Sequence, residues 1–440
     1  MTVLSADWVL PISGPPIRDG AVAIDGGRIA AVGPADELGP GTPYPGSVII
    51  PGLVNAHSHL EYAVYSGFGD GLGDFARWVN LHTERKRHIG WPESLDIARL
   101  GAAECLASGV TTIGDCSFSG AAGVAAGELG LGGIVYLEIF GSDPDAALAR
   151  FAALRERAEP GLSELLRLGV SPHAPYSVSV EVYRACAELG LPLATHLSES
   201  ESEVRYLRDG GGAWQGIDWL VAPAGTTGTR LLADAGLLGP ELLVAHGVVL
   251  DDEEIALLAS YDVAVVHCAR SNAFLGSGIA PLHELRKAGV RVGIGTDSPA
   301  SAPSFDMFDE LRAAVALARI RARSPEALSP GEALELATLG GARALGLAGE
   351  IGSLEPGKRA DLAVISLAGS PYLPWEDPAV AVVLGGSPTR VVTTLVEGTL
   401  RYDRETFEWR ELQQRGIEAR SRLLGVSPSR LAASARPTGR

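Results

Sequence analysis

Two histidines spaced two residues apart, His57 and His59, close an apolar run that begins at Ser47 and passes through Pro51-Gly52-Leu53-Val54-Asn55-Ala56. On an extended strand, residues i and i+2 project to the same face, so both imidazoles can grip one cation from one side. The pair alone fits two surface histidines equally well. It gains weight from four later residues that also end apolar runs: His173, His196, His246 and Asp297. His57, His59, His196 and Asp297 make a three-nitrogen, one-oxygen set that suits one divalent metal per subunit, Zn²⁺ first and Fe²⁺ as the alternative. A metal held in this way keeps a position open for water and lowers that water's pKa towards neutrality. Glu199 follows His196 by three residues at the start of a helical pattern, placed to pass protons between the water and a ring nitrogen of a substrate. Each residue alone has a plainer reading. A strand-end histidine is more often a core or capping residue, Asp297 before Ser298-Pro299 suits a turn, and an acid in a first turn complements the helix dipole. Five of the nine histidines end predicted strands, which argues against the plainer reading for all of them at once.

The elements that must position these residues alternate along the chain. Apolar runs at 47–57, 110–115, 133–140, 166–173, 193–196, 242–246, 263–268 and 290–297 read as strands. Helical patterns lie between them at 95–108, 180–190, 199–208, 252–260 and 281–289. Eight strands alternating with helices predict an α/β fold, a (β/α)8 barrel over residues 50–350, whose catalytic residues stand at the C-terminal strand ends. A doubly wound sheet is the competing architecture, but it would not bring the ends of strands one, five, six and eight to one point. The flanks carry short alternating runs with hairpin turns, such as Asp25-Gly26-Gly27 and Glu397-Gly398. Residues 1–49 and 351–410 are therefore expected to pair into one small β-sandwich. Residues 411–440 read as a C-terminal helix and, after Gly425, a loose tail.

Composition excludes several classes. The chain has 440 residues, 46% hydrophobic and 20% charged, enough for a large core. A net charge of −17 leaves no basic stripe for nucleic acid. No apolar run approaches the ~20 residues of a membrane span, and no signal-peptide pattern opens the sequence. The four cysteines lack CxxC spacing and lie in apolar segments, as expected of reduced thiols in a cytoplasmic protein.

Taken together, Pro51 to His59, Ser171-Pro172-His173-Ala174-Pro175-Tyr176-Ser177, Thr195-His196-Leu197-Ser198-Glu199, Ala245-His246-Gly247, His267 to Asn272 and Gly295-Thr296-Asp297-Ser298 resemble the amidohydrolase superfamily. The resemblance is to its aminohydrolase branch, which deaminates adenine- and guanine-type rings. None of the three lysines, Lys86, Lys287 and Lys358, ends strand four, where binuclear members carry a bridging carboxylated lysine, so a mononuclear site is expected. The resemblance implies roles. Asp297 binds metal and takes a proton from water, His246 orients the attacking oxygen, and Glu199 protonates the ring nitrogen before ammonia leaves. It implies substrate contacts from His173, Trp78, Glu84 and Ser301, with Glu84 accepting from ribose hydroxyls. Trp78 and Glu84 read equally as residues of an ordinary amphipathic helix. The Leu60-Glu61-Tyr62 continuation is most similar to aminodeoxyfutalosine deaminases, whose aryl-carboxylate substrate calls for an arginine that the sequence does not single out. The alternatives are a deaminase of S-adenosylhomocysteine or methylthioadenosine, a guanine-type deaminase, a chlorohydrolase with the same site, and more remotely a metal-free binding homologue. A purine nucleoside is the expected partner, with a homodimer suggested by analogy.

Overall fold

The structure, a computed structural model, describes residues 1–73, 75–212, 214 and 217–425. The expected loose tail after Gly425 lies outside the described residues. Among the described residues, fifteen strands form two sheets. The amino-terminal segment supplies β1 (Thr2–Val9), β2 (Ile17–Asp25), β3 (Arg28–Pro34) and β4 (Thr42–Pro51). Eight strands follow: β5 (Leu53–Ser58), β6 (Val110–Ser117), β7 (Gly132–Ile139), β8 (Leu166–Pro172), β9 (Leu193–Leu197), β10 (Leu242–His246), β11 (Ala264–His267) and β12 (Arg291–Ile294). The carboxy-terminal segment adds β13 (Leu362–Ser366), β14 (Val391–Val396) and β15 (Thr399–Asp403).

Strands β5 to β12 pair in chain order, every pair parallel. The ring closes between its first and last members. Ser58 bridges Asp297, and the Asp297 amide donates to the His57 carbonyl at 3.0 Å. The expected (β/α)8 barrel is therefore present, and it closes through the segments that carry the expected metal ligands. Every residue of β5, β6 and β7 is buried, as parallel strands covered on both faces require. Val54, Ala56, Ile134, Tyr136, Ala194 and Val266 fill the interior, so the barrel is a packed core rather than a pore.

One expected strand is two. The apolar run 47–57 breaks at Gly52: β4 before it belongs to the terminal sheet and β5 after it to the barrel. A Cβ at Gly52 would lie 2.2 Å from Thr111 Cγ2, so only glycine lets the chain turn there against β6. The terminal sheet has the order β15-β14-β13-β4-β1-β2-β3 and joins both ends of the chain. Its strands alternate in what they bury. Val48, Ile50, Ala363 and Ile365 pack into the barrel's outer core, while Ile49, Leu362 and Val364 join Leu4, Val9 and Val22 in a core of the sheet's own. Three helices matter for the site: Phe75–Lys86, Glu201–Asp209 and Ala269–Phe274. No helix among the described residues is long and apolar enough to cross a membrane. All four cysteines are free and buried.

Candidate active site

The C-terminal strand ends deliver the expected residues to one place. His57 lies on β5 and His59 just past it, His196 on β9, His246 at the end of β10, and Asp297 three residues beyond β12. All five are buried, none more than 6% exposed. His59 Nε2 and His196 Nε2 face each other at 3.2 Å, and Asp297 Oδ1 sits 3.6 Å from His57 Nε2 and 3.5 Å from His59 Nε2. His57 and Asp297 also group with His246. Two imidazole nitrogens facing one carboxylate oxygen, with the His196 nitrogen packed against one of them, is costly unless something positive is shared between them. The burial of His57 Nε2 without a hydrogen-bond partner makes the same point. The donor set and this orphaned nitrogen fit a divalent cation.

Surrounding groups fix the orientation of each donor. The His196 Nδ1–H donates to the His173 carbonyl at 2.9 Å, which leaves the Nε2 lone pair for the cluster. His246 Nδ1 lies 3.0 Å from Asn272 Oδ1, so that nitrogen carries the proton and Nε2 offers its lone pair. Asp297 Oδ2 accepts from Ser271 Oγ at 2.6 Å and Ser301 Oγ at 2.7 Å, leaving Oδ1 to the imidazoles. Across the barrel seam, Asn55 and Thr296 exchange two hydrogen bonds at 2.8 and 2.9 Å. A Cβ at Gly295 would lie 2.6 Å from the His57 amide nitrogen, so β5 and β12 approach this closely only because that residue is glycine. His246 (φ 75°), Asp297 (φ 57°) and Ser198 (φ 51°) all occupy the left-handed region. Each costs roughly 1–3 kcal/mol, strain that gathers at this one rim of the barrel.

Burial shapes the charges. Desolvation pushes His57 down to about 4 and lowers His59 and His246 as well, so these imidazoles are neutral, the form that binds metal. Burial would raise Asp297, but the facing imidazoles of His57, His246 and His59 outweigh it and hold the carboxyl well below its ordinary range. Glu199 goes the other way. Burial first, and the Asp297 charge second, push it up to about 8, while His196 opposes. Its Oε2 lies 3.8 Å from His246 Nε2. Glu199 stands before the helix rather than in it, because Ser200 caps Glu201–Asp209 by accepting the Glu203 amide. Glu203 reaches back to accept the amides of Ser198 at 2.9 Å and Glu199 at 2.8 Å. That fully buried acid fixes the Glu199 backbone, a task the sequence pattern hides behind an ordinary first-turn glutamate.

A cavity of about 600 Å³ opens onto the cluster. Helix Phe75–Lys86 lines one side with Phe75, Trp78, Val79, His82, Thr83 and Lys86, a stripe at i, i+3, i+4, i+7, i+8 and i+11. His173 lines the cavity with Nδ1 held 2.8 Å from Ser177 Oγ. Trp78 is in the wall, its Nε1–H donating to the Ala300 carbonyl at 3.3 Å. Two expected substrate contacts are placed elsewhere. Glu84 falls off the stripe, 61% exposed and paired with Arg87 at 2.9 Å. Ser301 is buried and donates to Asp297 and is not part of this cavity's wall. Ser271 and Asn272, which contact Asp297 and His246, are not singled out by the sequence pattern. Their signal is the two polar residues that follow Arg270 at the end of strand seven. A buried Arg270–Glu310 pair anchors their short helix, with Nε 2.6 Å from Oε2.

Three imidazoles, a carboxylate and a buried proton-bearing acid at the mouth of a (β/α)8 barrel are the equipment of a metal-dependent hydrolase. The amidohydrolase family profile matches residues 48–401. A 5-methylthioadenosine/S-adenosylhomocysteine deaminase of Moorella thermoacetica is 35% identical, covering 89% of this chain and 92% of its own. A 5'-deoxyadenosine deaminase of Methanothermobacter thermautotrophicus is 32% identical over 87% of this chain and 89% of its own. Among solved structures, an adenosine deaminase from Xanthomonas campestris with bound zinc superposes with a TM-score of 0.87 at 29% identity, covering 97% of this chain and 99% of that one. An atrazine chlorohydrolase of Arthrobacter aurescens, complexed with zinc, shares the fold at 24% identity and a TM-score of 0.83, covering 96% of this chain and 100% of that one. The chain belongs to the amidohydrolase family. It is a metal-dependent hydrolase acting on C–N bonds.

Proposed function

We propose that the chain is a hydrolytic deaminase of 5'-modified adenosines, replacing the 6-amino group of the purine with oxygen and releasing ammonia. The observation that carries this is Glu199: a buried acid with its pKa pushed up to about 8, set 3.8 Å from His246 beside a three-histidine, one-aspartate cluster. The relatives' names support methylthioadenosine, S-adenosylhomocysteine or 5'-deoxyadenosine as the substrate type more than aminodeoxyfutalosine, the first expectation from sequence.

His57, His59, His196 and Asp297 would hold one divalent metal, zinc by its donor preference, which supplies Lewis-acid activation of water. The chain's own groups do the rest. At neutral pH Glu199 carries a proton and presents it to a purine ring nitrogen, as a carboxylic acid kept neutral by burial can. Asp297 stays ionised, so Oδ1 can accept a proton from the attacking water. His246 Nε2, with Nδ1 engaged by Asn272, orients that water through its lone pair. As the C–N bond breaks, the proton taken up by Asp297 goes to the departing amine, the remaining hydroxyl proton passes to Glu199 and restores the acid, and water's oxygen stays on the ring carbon as a carbonyl beside the protonated ring nitrogen. His173 offers Nε2 to the purine, and Trp78 supplies a flat wall. The sugar edge meets His82 and Thr83 rather than Glu84.

The test is an ultraviolet assay of zinc-loaded protein against methylthioadenosine, 5'-deoxyadenosine, S-adenosylhomocysteine, aminodeoxyfutalosine, adenosine, guanine and a chlorotriazine. Adenine-to-hypoxanthine conversion of the 5'-modified adenosines, abolished in Glu199→Gln, is the expected result. Turnover of guanine or the chlorotriazine alone would overturn the proposal.

A further inference from the structure

His59 differs from the other imidazoles in how its ring is held. His196 and His246 each commit Nδ1 to a hydrogen bond, with the His173 carbonyl and with Asn272, whereas His59 Nδ1 is buried without a partner. Its aim therefore falls to the main chain. That main chain is irregular. Asn55 pairs with Ile113 and Ser58 with Asp115, three steps on β5 against two on β6, so the strand bulges just before His59. β5 ends at Ser58, and Leu60 already belongs to the short turn Leu60–Tyr62, so His59 sits in neither element.

A single carboxyl group grips both neighbours. Asp115, fully buried on β6, accepts from Ser58 Oγ at 2.8 Å and from the Leu60 amide at 2.8 Å. Both bonds fall on Oδ2, and Oδ1 has no partner. The hydrogen bonding of this acid thus goes to the two residues that flank His59. Burial pushes its pKa well above the ordinary carboxylate range, so the group works as a neutral acceptor, by geometry rather than charge. A second buried acid ties the same two segments in the opposite sense. Glu61 accepts from Ser117 Oγ, from the Ser119 amide at 3.0 Å and from the Ala122 amide at 3.2 Å. Its bonds bracket Phe118 and the start of the helix Ala121–Leu129, and none reaches a neighbour of His59.

We propose that Asp115 is a positioning residue for His59: by holding the Ser58 hydroxyl and the Leu60 amide it fixes the backbone between them and so aims the imidazole at the metal. The inference rests on the metal-site reading above and adds to it a residue that touches neither metal nor substrate. Such outer partners govern affinity by orienting the ligand.

The experiment titrates chelator-stripped protein with zinc against a competing chelator, with no substrate present. It uses wild type, Asp115→Ala, Asp115→Asn, Ser58→Ala and Glu61→Ala. Thermal unfolding ranks the structural damage, and the visible spectrum of cobalt-loaded samples reports ligand geometry. Asp115→Ala should weaken zinc binding by about 10- to 100-fold and change the cobalt spectrum. Asp115→Asn keeps the acceptor oxygen and should stay within about 3-fold of wild type. Ser58→Ala deletes one hydroxyl, which the fold should accept, and should cost about 2- to 10-fold. Glu61→Ala should lower Tm as Asp115→Ala does but leave zinc affinity within about 3-fold of wild type. A merely structural acid would instead make zinc affinity follow Tm in both variants, which would overturn the proposal. Wild-type affinity in Asp115→Ala, or Asp115→Asn as weak as Asp115→Ala, would overturn it too. If Asp115→Ala does not fold, wild-type affinity in Ser58→Ala does the same. All of these outcomes leave the deaminase reading standing, because no substrate enters the titration. Wild-type protein that binds no zinc would overturn both.

Discussion

The Arg270–Glu310 pair makes a demanding prediction because it is buried, isolated and joined to the site. Glu310 is fully buried and Arg270 is 7% exposed in its side chain. The pair is held at 2.6 Å, the Arg270 amide donates to the other carboxylate oxygen at 3.1 Å, and the guanidinium donates to the Ser304 carbonyl at 2.7 Å. Arg270→Met removes the cation and keeps the packing volume. It leaves the carboxylate with backbone donors alone, and breaking such a pair from one side costs about 3–5 kcal/mol. With about 2.1 cal/mol/K of unfolding entropy per residue, a chain of this length loses roughly 3–5 °C in Tm for that cost. Burial already raises the Glu310 pKa, and Arg270 is the group that opposes the rise. Without Arg270 the folded state favours the protonated acid, so its contribution is present at low pH and lost as pH rises. The deficit of the variant should therefore be larger at pH 8 than at pH 5.5. Arg270→Met/Glu310→Leu removes both charges and should recover most of the loss. The assay is thermal unfolding at fixed scan rate and saturating zinc, since bound metal itself shifts Tm. A single-variant loss below about 1 kcal/mol, a loss independent of pH, or a double variant as weak as the sum of its singles would show that Arg270 does not compensate the buried Glu310 charge.

Other expectations follow from the same geometry. Glu199→Gln should lower kcat by about 100- to 10,000-fold while zinc content by elemental analysis stays at the wild-type level; loss of the metal instead would reassign that residue. Ser271→Ala with Ser301→Ala strips both hydroxyl donors from Asp297 Oδ2 and should weaken zinc binding about 10- to 100-fold in a competition titration with a chelator. An unchanged affinity would show that Asp297 holds its orientation without them. Glu104, on the helix Trp91–Ala107, has its pKa pushed up to about 7 by burial alone. Its folded state binds the proton more tightly than the unfolded state, so the stabilising contribution is present below about pH 4.5 and disappears as pH rises through about 7. Glu104→Gln should raise Tm relative to wild type at pH 8.5, by no more than the few degrees that about 3 kcal/mol allows, and change it little at pH 5.5. A gain that is equal at both pH values counts against the assignment.

The barrel and the cluster of residues at its mouth were legible in the sequence because two periodicities coincide there. Parallel strands buried on both faces read as short apolar runs, and the residue ending each run is the one the barrel turns inward at its mouth. That is why His57, His59, His196, His246 and Asp297 could be found and are found together. Strand limits were less legible. The run 47–57 carries no hydrophobic signal of its division at Gly52, since β4 and β5 are equally apolar and only the Thr111 contact forces the break. The last strand stops at Ile294, three residues short of Asp297, because the chain turns left-handed there to close the ring. Residues that act through other residues were hidden. Glu203 looks like a helix-dipole acid, and Asn272 and Ser271 look like loop polars, until their partners 4 to 26 positions away are seen. Glu84 shows the reverse error. Its type suited a sugar contact, but the helical phase of Phe75–Lys86 puts Thr83 and Lys86 on the cavity side and Glu84 in solvent.

His57, His59, His196 and Asp297 are proposed to hold one catalytic divalent metal together. Chelator-stripped protein should be titrated with zinc while bound metal and deamination of a 5'-modified adenosine are followed in the same samples, with Asp297→Asn alongside. Activity that rises in proportion to bound zinc, levels off at one per chain and fails to return in Asp297→Asn is the predicted result. Full activity in stripped protein, or zinc bound equally well after Asp297→Asn, would contradict the account.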